Sequence, residues 1–389
     1  MLNACDFNIS EIAFKEQEEW TLNDHSLSHR TGGFFHVLGG VYSKKENLYL
    51  HQPQGAFNGL LVCKKENQIW ILLHARVEPG NTGIVQYGPT MQSTPANYLR
   101  LHGGKKTPYI EYFFDFVPNT RLLSNSTQLD LGESYLHKTK TLHYVEVPTL
   151  LECAENMQWF TLDEILNENF TDYFYNTDLR SMLGVFDWSR YKNEKEYVNH
   201  TVKNVPSRHS SSQHRVKIKP IKDLQSFRTL EDKIISEDGQ SGVQMCEVSC
   251  LGREVKNWYQ PLIFYSNKSY FDLIFKVQDE KYYFLLSISK EPGVGEITTT
   301  SFAHYFEENE PTLEGASIKK TINQSEEGGR FFQSNSVYRI FQGRNEIEIG
   351  KNQFWVDKIE MKALLATSNC LSIQLRSMMS FFIPELNSR

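Results

Sequence analysis

The chain has 389 residues, of which 40% are hydrophobic and 13% aromatic, so it can build two or three domains with packed cores. Its formal net charge of −6 argues against a nucleic-acid partner, because nucleic acids attract basic proteins. No apolar run reaches the roughly 18 residues of a membrane span, and the N-terminal residues lack the layout of a signal peptide. We therefore expect a soluble, cytoplasmic protein without a membrane segment.

The six cysteines are scattered along the chain and lie mostly among apolar residues. Cys246 and Cys250 form the closest pair, and a CxxxC pair without a second pair or nearby histidines is a weak metal-site pattern. We expect reduced thiols, most of them in the core, and no metal site.

The first half is predicted to begin with short strands. A glycine turn at Gly32 and Gly33 leads into one strand, and residues 59–63 are typical of another. Residues 69–74 combine β-branched and apolar side chains, as a buried strand does. A turn must follow at residues 78–80, Glu-Pro-Gly, because proline fixes φ and glycine permits a positive φ.

Neutral polar side chains are dense just after this turn, with few charges among them. They are Gln86, Thr90, Gln92, Ser93, Thr94, Asn97, Tyr98 and His102. Such side chains suit a polyhydroxylated ligand better than a phosphate alone. An ordinary polar loop is the alternative that composition leaves open.

The rest of the first half mixes strands with helices. Residues 108–116 are predicted as a strand or as the end of a helix that begins near Ala96, and residues 141–147 as a strand. Residues 162–167 and 178–183 are predicted as helices. Short strands around a few helices indicate an α+β fold rather than a doubly wound α/β fold.

The composition changes abruptly at residues 200–222. Ser, His, Lys and Pro dominate there and the apolar periodicity stops, which favours an exposed linker over a basic patch that attracts phosphates. The predicted domains are residues 1–199 and 223–389, joined by this linker.

The second half repeats the first. The Glu-Pro-Gly turn at 78–80 recurs at 291–293, and a Gln-Pro pair at 52–53 recurs at 260–261. Four further anchors keep an offset of 196 residues: Gln128 and Gln324, Gly132 and Gly328, Trp159 and Trp355, Arg180 and Arg376. A constant offset at four anchors indicates a tandem duplication of a domain of about 190 residues.

The two copies are depleted at opposite places. The Glu of the Glu-Pro-Gly turn precedes Gln128 by 50 residues in copy one but precedes Gln324 by 33 in copy two, so copy two lacks 17 residues of the polar stretch. Copy two keeps QSEEGGRF at 324–331, where copy one has QLDLGESY at 128–135. This complementary loss predicts one composite site formed from both copies.

Seven motifs occur in one order: HRTGGFF, QP, RVEPGN, VQxxPTxQ, NYxxxH, PYxEYF and QSEEGGRF. With them the chain resembles the sugar-nucleotide 2,3-dehydratases, which act on dTDP-4-keto-6-deoxyglucose in deoxysugar pathways. The resemblance implies a tandem pair of Nudix-like α+β modules, a homodimer, and binding of a dTDP-sugar without a redox cofactor. The carboxylate-rich Nudix box is missing, so Mg²⁺-dependent pyrophosphate hydrolysis is not expected.

The chain departs from the family pattern in its length and in two motifs. It is shorter than typical members, and it lacks the first copy of QSExG and the second copy of VQxxPTxQ. Family members can bind nucleotide in both halves, and these losses argue against a second nucleotide site in this chain.

Elimination of water across C2–C3 of a 4-keto sugar needs a base for the C3 proton, a donor for the C4 oxygen and an acid for the C2 hydroxyl. The candidates for base or acid are Glu78, Tyr98, His102 and Glu327. Each has a structural alternative, such as capping a turn, packing in the core or simple solvation. No nicotinamide or metal is needed, and no GxGxxG, P-loop or HExxH motif occurs.

Two kinds of side chain are candidates for holding the nucleotide. Arg76 and Arg330, with the backbone amides of Gly328 and Gly329, suit a diphosphate, and aromatic rings suit the thymine. The binding residues indicated by the motifs are His29, Arg30, Phe35, Gln52, Arg76, Gln86, Thr90, Gln92, Asn97, Tyr109, Tyr259, Gln260, Gln324, Ser325, Glu326, Gly328, Gly329 and Arg330.

The leading hypothesis is therefore a lyase that makes a 3,4-diketo-2,6-dideoxy sugar nucleotide. Its product is unstable, so a 3-ketoreductase is expected to act next. The alternative is a non-catalytic nucleotide-sugar-binding protein derived from the same family. A related enzyme with a changed sugar or nucleotide fits the same motifs.

Overall fold

The computed structural model describes residues 7–81, 85–101, 103–193, 215–250, 255–294, 299–301, 303–305, 315–344, 347, 349–350 and 352–388. The strands of the first half are β1 (Phe7–Glu11), β2 (Trp20–Leu22), β3 (Ser26–His29), β4 (His36–Tyr42), β5 (Lys45–His51), β6 (Ala56–Lys65), β7 (Gln68–Val77), β8 (Val85–Gly88), β9 (Met91–Ser93), β10 (Arg121–Leu129), β11 (Tyr135–Leu136), β12 (Thr139–Glu146) and β13 (Met157–Thr161). Its helices are α1 (Pro95–Tyr98), α2 (Glu111–Phe114), α3 (Leu162–Glu168), α4 (Thr177–Val185) and α5 (Trp188–Asn193).

The strands of the second half are β14 (Lys217–Lys219), β15 (Phe227–Thr229), β16 (Lys233–Ser236), β17 (Ser241–Cys250), β18 (Asn257–Tyr265), β19 (Ser269–Gln278), β20 (Lys281–Ser289), β21 (Thr299–Ser301), β22 (Ala303–Tyr305), β23 (Ala316–Ser325), β24 (Phe331–Phe332), β25 (Asn335–Gly343) and β26 (Gln353–Asp357). Its helices are α6 (Lys358–Ala366), α7 (Ile373–Met379) and α8 (Ile383–Asn387). No described helix has the length and apolar character needed to cross a bilayer.

Each half contributes one large mixed sheet and one small sheet. The large sheets run β10-β12-β6-β7-β13 and β23-β25-β19-β20-β21, with β26 also paired to β20. In both, the neighbours β6 and β12, or β19 and β25, are parallel, whereas the other pairs along these sheets are antiparallel. The small sheets run β11-β5-β4-β3-β2 and β24-β18-β17-β16-β15. This architecture confirms the predicted α+β class and the tandem duplication.

The central strands are apolar on both faces because both faces are covered. In β6, Leu60 and Val62 pack towards the helices, whereas Leu61 and Cys63 pack into a separate core on the opposite face. Such double burial explains why the sequence shows a continuous apolar run there rather than alternation.

The helix starts are repeated as well. Thr161 begins α3 and Asp357 begins α6, each with a reciprocal capping box to the glutamate three residues later. Because a capping box satisfies two free backbone N–H groups, it fixes the same helix start in both halves.

Two sequence-based expectations are wrong in detail. Residues 108–116 form neither a strand nor an extension of α1; they contain the separate short helix α2, preceded by Tyr109 at a φ of +58°. The Gln-Pro pairs are not equivalent either. Since Tyr135 pairs with Leu50 and its counterpart Phe331 pairs with Ile263, the residue that corresponds to Gln52 is Tyr265.

The two halves exchange their first strands. β1 pairs with β17 of the second half, and β14 pairs with β4 of the first half. β14 lies within residues 200–222, the segment predicted as a linker, of which the structure describes 215–222. Each small sheet is therefore completed by the other half of the chain.

The two Glu-Pro-Gly turns also insert reciprocally into the opposite half. The Gly80 nitrogen donates to the Gly328 carbonyl at 2.7 Å, and the Gly293 nitrogen donates to the Gly132 carbonyl at 2.6 Å. A Cβ built on Gly80 would lie 1.6 Å from the Phe331 carbonyl oxygen, so only glycine fits this contact. Each copy thus places its turn against the loop that carries, or once carried, the QSExG motif.

The repeated Leu-Arg-Ser-Met segment forms the crossing of α4 and α7 at the centre of the molecule. Arg180 donates to the Gln324 side chain at 2.7 Å, and Arg376 donates to the Leu129 carbonyl at 2.7 Å. Both arginines are buried and each bonds to the opposite half. The best-preserved repeat in the sequence is therefore structural, because it satisfies backbone and amide groups at the junction.

Candidate active site

A pocket opens where the two halves meet. It is lined by Glu78, Gln92, Asp130, Leu131, Tyr135, Lys140, Asn176, Thr177, Asp178, Glu326, Glu327, Phe331 and Ile373. The first half supplies the turn before β8, strand β9 and the start of α4, and the second half supplies the loop after β23. The two segments that the copies retained differentially therefore meet in one place.

The pocket lies across the approximate twofold relation between the copies. Four pairs of its residues keep the offset of 196: Asp130 and Glu326, Leu131 and Glu327, Tyr135 and Phe331, Thr177 and Ile373. The remaining residues, Glu78, Gln92, Lys140, Asn176 and Asp178, all come from the first half. The pocket is thus built on a symmetric frame, to which the first half contributes most of the polar groups and the second half contributes Glu326 and Glu327.

A cluster of buried charges forms one wall. The Lys140 Nζ lies 2.8 Å from Asp178, 3.2 Å from Asp130 and 3.2 Å from Glu327. The Lys138 Nζ lies 3.0 Å from Asp130 and 3.2 Å from Glu327. Three carboxylates face two ammonium groups, so the cluster nearly neutralises itself, as buried charges must.

The surroundings shift the pKa values of these groups in opposite directions. Burial opposes ionisation of Glu327, but Lys138, Lys140 and Arg330 outweigh it and hold the pKa of this carboxyl well below its usual range. Burial also disfavours the charged form of Lys140, yet the three carboxylates raise its pKa well above the ordinary value. Both groups are therefore ionised at neutral pH.

Tyr135 contributes a phenol to the same wall. Its hydroxyl donates to Glu327 at 3.0 Å, and the Lys138 Nζ lies 3.8 Å from the centre of its ring. Burial, followed by the charges of Glu327 and Asp130, raises the pKa of Tyr135 well above 10.0, so the phenol keeps its proton. The counterpart Phe331 in the second half has no hydroxyl, so only the first half supplies a phenol at this position.

The opposite wall is an amide chain. The Gln92 Nε2 donates to Glu78 at 3.4 Å, and its Oε1 accepts from Asn176 at 2.9 Å. The guanidinium of Arg76 lies 3.7 Å from Glu78. These contacts with Glu78 are long, so its carboxylate is less tightly held than Glu327.

Four predicted site residues line the pocket: Glu78, Gln92, Glu326 and Glu327. Gln86 lies next to them and donates to Ser325 at 3.0 Å, which ties strand β8 to the loop of the second half. Arg76 pairs with Gln86 across β7 and β8.

A second group lies around Arg330, beyond Phe331. Arg330 donates to Gln52 at 3.1 Å, lies over the Phe35 ring at 4.3 Å, and donates to the Gly329 carbonyl at 2.7 Å. Gln260 donates to the same carbonyl at 3.0 Å, and the Gly328 carbonyl accepts from Gly80. Five predicted binding residues, Phe35, Gln52, Gln260, Gly329 and Arg330, thus form one connected patch.

Three predicted binding residues hold the fold together instead. Thr90 donates to the Leu72 carbonyl at 2.5 Å, and Gln324 joins Arg180 to the Tyr175 carbonyl. Tyr109 donates to the Glu152 carbonyl at 2.5 Å and accepts from the Ala154 nitrogen at 2.8 Å. Their polar groups are used within the protein.

The remaining predicted residues do not line the pocket. Tyr98 packs on Phe114 with ring centres 5.1 Å apart, and Asn97 precedes it in α1. His29 and Tyr259 belong to the small sheets, where Tyr259 accepts from Trp20 through its carbonyl, and the exposed Arg30 follows the end of β3. His102 lies outside the described residues.

Sequence reasoning missed seven polar residues of this site: Asp130, Tyr135, Lys138, Lys140, Asn176, Thr177 and Asp178. One signal was available. Lys140 lies on the same face of β12 as Leu142 and Tyr144, both core residues, so a lysine occupies a position where alternation predicts an apolar side chain. Asp130 was hidden because its segment looked like a degraded motif.

Fold and pocket together define a duplicated α+β protein with one composite polar pocket, in which carboxylates face lysines and a phenol. The chain belongs to the NDP-hexose 2,3-dehydratase family, whose model matches residues 1–186, 198–301 and 294–382. The family is one of dehydratases, so the chain is classed with the hydro-lyases.

Curated relatives cover nearly the whole chain. A dTDP-4-dehydro-6-deoxy-alpha-D-glucopyranose 2,3-dehydratase from Amycolatopsis orientalis is 24% identical over 96% of this chain and 86% of its own length. Proteins of the same name from Saccharopolyspora spinosa and Streptomyces violaceoruber are 24% and 21% identical, over 97% and 96% of this chain and 88% and 93% of their own lengths.

Solved structures similar to parts of the chain include hydrolases. A Nudix hydrolase from M. smegmatis has a TM-score of 0.19 with 12% identity, over 24% of this chain and 73% of its own. An Ap4A hydrolase from C. elegans has a TM-score of 0.23 with 14% identity, over 31% of this chain and 98% of its own.

Proposed function

We propose that the chain is a dTDP-4-dehydro-6-deoxyglucose 2,3-dehydratase whose reaction takes place in the pocket between the halves. The observation that carries the proposal is the meeting of Glu78 and Gln92 with Glu326 and Glu327 in that pocket. These residues belong to the two segments that the copies retained differentially. The names of the full-length relatives indicate the substrate.

The proposed reaction is an elimination without net oxidation. A base removes the C3 proton, and the electron pair of that C–H bond moves towards the C4 carbonyl to give an enolate. Collapse of the enolate forms the C2–C3 double bond and breaks the C2–O bond, and the departing hydroxyl takes a proton and leaves as water. The enol at C3 then tautomerises to the 3,4-diketone.

Glu78 is our candidate for the base. It lines the pocket, and its nearest polar partners lie 3.4 and 3.7 Å away, so lone pairs of its carboxylate remain available to a C3 proton. Glu327, the other carboxylate candidate, accepts from Lys138, Lys140 and Tyr135 on one oxygen. Its strongly lowered pKa makes it a weak base, so we assign it to holding the two lysines and the phenol in place.

Tyr135 is our candidate for the acid. Its phenol is protonated at neutral pH and lines the pocket, so it carries a proton that can be donated to the departing hydroxyl. Around Arg330, the connected patch with Gly329 suits the diphosphate, because a guanidinium binds phosphate oxygens in a bidentate fashion.

Three further proposals follow from the same assignment. The enzyme acts in the cytoplasm as a homodimer, in keeping with its resemblance to the family. Its diketo product is reactive, so a 3-ketoreductase that consumes it is the expected next enzyme. Neither a redox cofactor nor a metal is required, because the electrons that leave C3 remain in the product.

The test is solvent deuterium exchange at C3 of dTDP-4-dehydro-6-deoxyglucose, followed by NMR with a 3-ketoreductase and its reductant present. The expected result is loss of the C3 proton and of the C2 hydroxyl, with one solvent deuterium at C2 of the product, because C3 becomes a carbonyl carbon and the enol takes its new proton at C2. Binding of the sugar nucleotide without exchange and without elimination would instead assign the chain to non-catalytic nucleotide-sugar binding. Exchange without elimination would retain the base and reject the assigned acid.

A further inference from the structure

Asn58 is a buried amide without a use in the fold. It is the third residue of β6 and is 1% exposed, yet neither its Nδ2 nor its Oδ1 has a hydrogen-bond partner among the residues that the structure describes. Buried amides are normally bonded, because leaving both ends unpaired costs free energy that an apolar side chain of the same size would not cost. An unpaired buried amide therefore indicates a partner that binds from outside the chain.

The sheet places Asn58 beneath the pocket. Asn58 lies directly opposite Gln92 of β9, and Ala56, two residues earlier on the same face, lies opposite Lys140 of β12. Directly paired residues share a face of the sheet, so Asn58 lies between two strands whose neighbouring side chains, Gln92 and Lys140, line the pocket.

The other half of the chain shows what this position needs for folding alone. The counterpart of Asn58 is Phe271, since Asn58 pairs with Leu142 and Phe271 pairs with the equivalent Tyr338. Phe271 belongs to a hydrophobic core cluster. The module therefore folds with an apolar residue here, and the amide in the first half has a reason other than stability.

The ammonium of Lys140 is not available to donate a hydrogen bond to a ligand in this part of the pocket. Its ammonium has three N–H groups, and three carboxylates, Asp130, Asp178 and Glu327, lie within 3.2 Å of it. Asn58 keeps two unused N–H groups on its amide nitrogen.

On the basis of the proposed function, we infer that the Asn58 amide donates a hydrogen bond to the C4 oxygen of the 4-keto sugar. The carbonyl oxygen becomes an enolate when the C3 proton leaves, and a neutral donor in a dry site stabilises that charge without drawing a counter-ion from the cluster. Gln92 pairs with Asn58 across β6 and β9 and is held by bonds of 3.4 and 2.9 Å to Glu78 and Asn176, and the inference includes a rotation of Gln92 that opens Asn58 to the ligand. Asn58 is thus assigned as a further catalytic residue.

Asn58→Leu tests this assignment because it separates stability from turnover. Removal of an unpaired buried amide is expected to raise the melting temperature, whereas loss of an oxyanion donor is expected to lower kcat by about 100-fold or more with KM changed by less than about threefold. Asn58→Ala, which adds no side-chain bulk, is expected to lower kcat similarly. The matched control is Phe271→Leu, expected to lower the melting temperature and to leave kcat unchanged.

The outcomes decide between the alternatives. A kcat of Asn58→Leu within twofold of the wild type would overturn the inference. If the melting temperature of this variant also fell, the Asn58 amide would instead bind a structural water. If the wild type shows no turnover, the proposed function fails instead, and calorimetry with the sugar nucleotide then tests Asn58 alone. Equal affinity of wild type and Asn58→Leu would in that case overturn the role of Asn58.

Discussion

Two glutamates that begin the repeated Glu-Pro-Gly turn, Glu78 and Glu291, have different surroundings. Glu291 accepts a hydrogen bond from the Gly132 nitrogen at 2.8 Å, so its carboxylate stabilises the loop of the opposite half. Glu78 lines the pocket, and the shortest polar contact of its carboxylate within the described part of the chain is with Gln92 at 3.4 Å. A carboxylate engaged by a backbone amide is fixed, whereas a loosely held one retains basic lone pairs for chemistry.

The first prediction compares these two residues. Glu78→Gln keeps the shape of the side chain but removes the base, so C3 deuterium exchange is expected to fall by 10²–10⁴-fold, roughly the range for loss of a general base. Glu291→Gln is the matched control and is expected to lower stability while exchange stays near the wild-type rate. NMR exchange rates and urea unfolding measure both effects, and equal exchange in wild type and Glu78→Gln would reject Glu78 as the base.

The second prediction concerns the phenol of Tyr135. Tyr135→Phe copies the residue that the protein already has at the equivalent Phe331, so the fold tolerates it and the cost is about 1 kcal/mol, that of one hydrogen bond to Glu327. Elimination is expected to slow by about 10²-fold or more while C3 exchange continues, because proton removal precedes loss of the hydroxyl. Parallel loss of exchange and elimination would contradict the role of Tyr135 as the acid.

At the scale of the element, the Glu-Pro-Gly turns are the contacts that join the copies. Each turn places a glycine against a backbone carbonyl of the opposite half, and a Cβ at Gly80 or at Gly293 would lie 1.6 Å from a carbonyl oxygen. No rotamer change relieves a clash with a backbone atom, so the strands and loop would have to separate.

Gly80→Ala is therefore expected to lower the free energy of unfolding by about 3 kcal/mol, the upper part of the range for overpacking. Gly329→Ala, two residues before Phe331, is the control, because a Cβ there meets nothing within 4 Å. Chemical unfolding in urea measures both. A neutral Gly80→Ala would mean that the two halves can slide apart at this turn.

Half-buried histidines make stability depend on pH. Burial is the leading cause of a lowered pKa at His29, His36, His51 and His143. Three of them lie on or at the ends of β3, β4 and β5, in one small sheet. Because the unfolded chain binds protons at these groups near pH 6.5, before the folded chain does, the free energy of unfolding falls as the pH drops below that value.

The expected result is a melting temperature that is constant between pH 7 and 8 and falls from about pH 6.5 to 5. A His36→Gln, His51→Gln double variant removes two of the groups and is expected to flatten this slope. Differential scanning calorimetry across the pH series measures it. A melting temperature that rises on acidification would show that the histidines are stabilised in their charged form.

At the scale of the whole molecule, the exchange of first strands makes the halves depend on each other. β1 completes the small sheet of the second half, and β14 completes that of the first half. The domain boundaries predicted at residues 199 and 223 therefore remain a proposal, and they concern the two copies of the duplicated sequence. As folding units, the halves share strands and the Arg180 and Arg376 contacts across the centre.

We therefore expect that residues 1–199 and residues 200–389, when expressed separately, are poorly soluble. Each piece is also expected to lack a cooperative thermal transition. Co-expression of the two pieces is expected to restore one complex with the transition of the intact chain, because all interrupted contacts lie between the pieces. Size-exclusion chromatography and calorimetry report the result. A cooperative transition for either piece alone would show that the exchanged strand is dispensable.

Local patterns determined much of this fold. Apolar runs predicted β6 and β7, Pro and Gly predicted the turns, and the constant offset of 196 predicted the duplication. These features could be predicted because each depends on neighbouring residues or on spacing along the chain. The complementary loss of motifs in the two copies predicted a composite site, and the pocket contains residues from both retained segments. The Leu-Arg-Ser-Met repeat was visible too, although its role is structural.

Only the tertiary structure decided which residues share the pocket. Lys138 and Lys140 contact Glu327 although they lie 189 and 187 residues earlier in the chain, and both lysines also contact Asp130. The structure also showed that Asn58 has no internal partner and that the first strands are exchanged. Such contacts depend on how two similar modules dock around a common axis, and the docking is a property of their surfaces taken together rather than of any local run of residues.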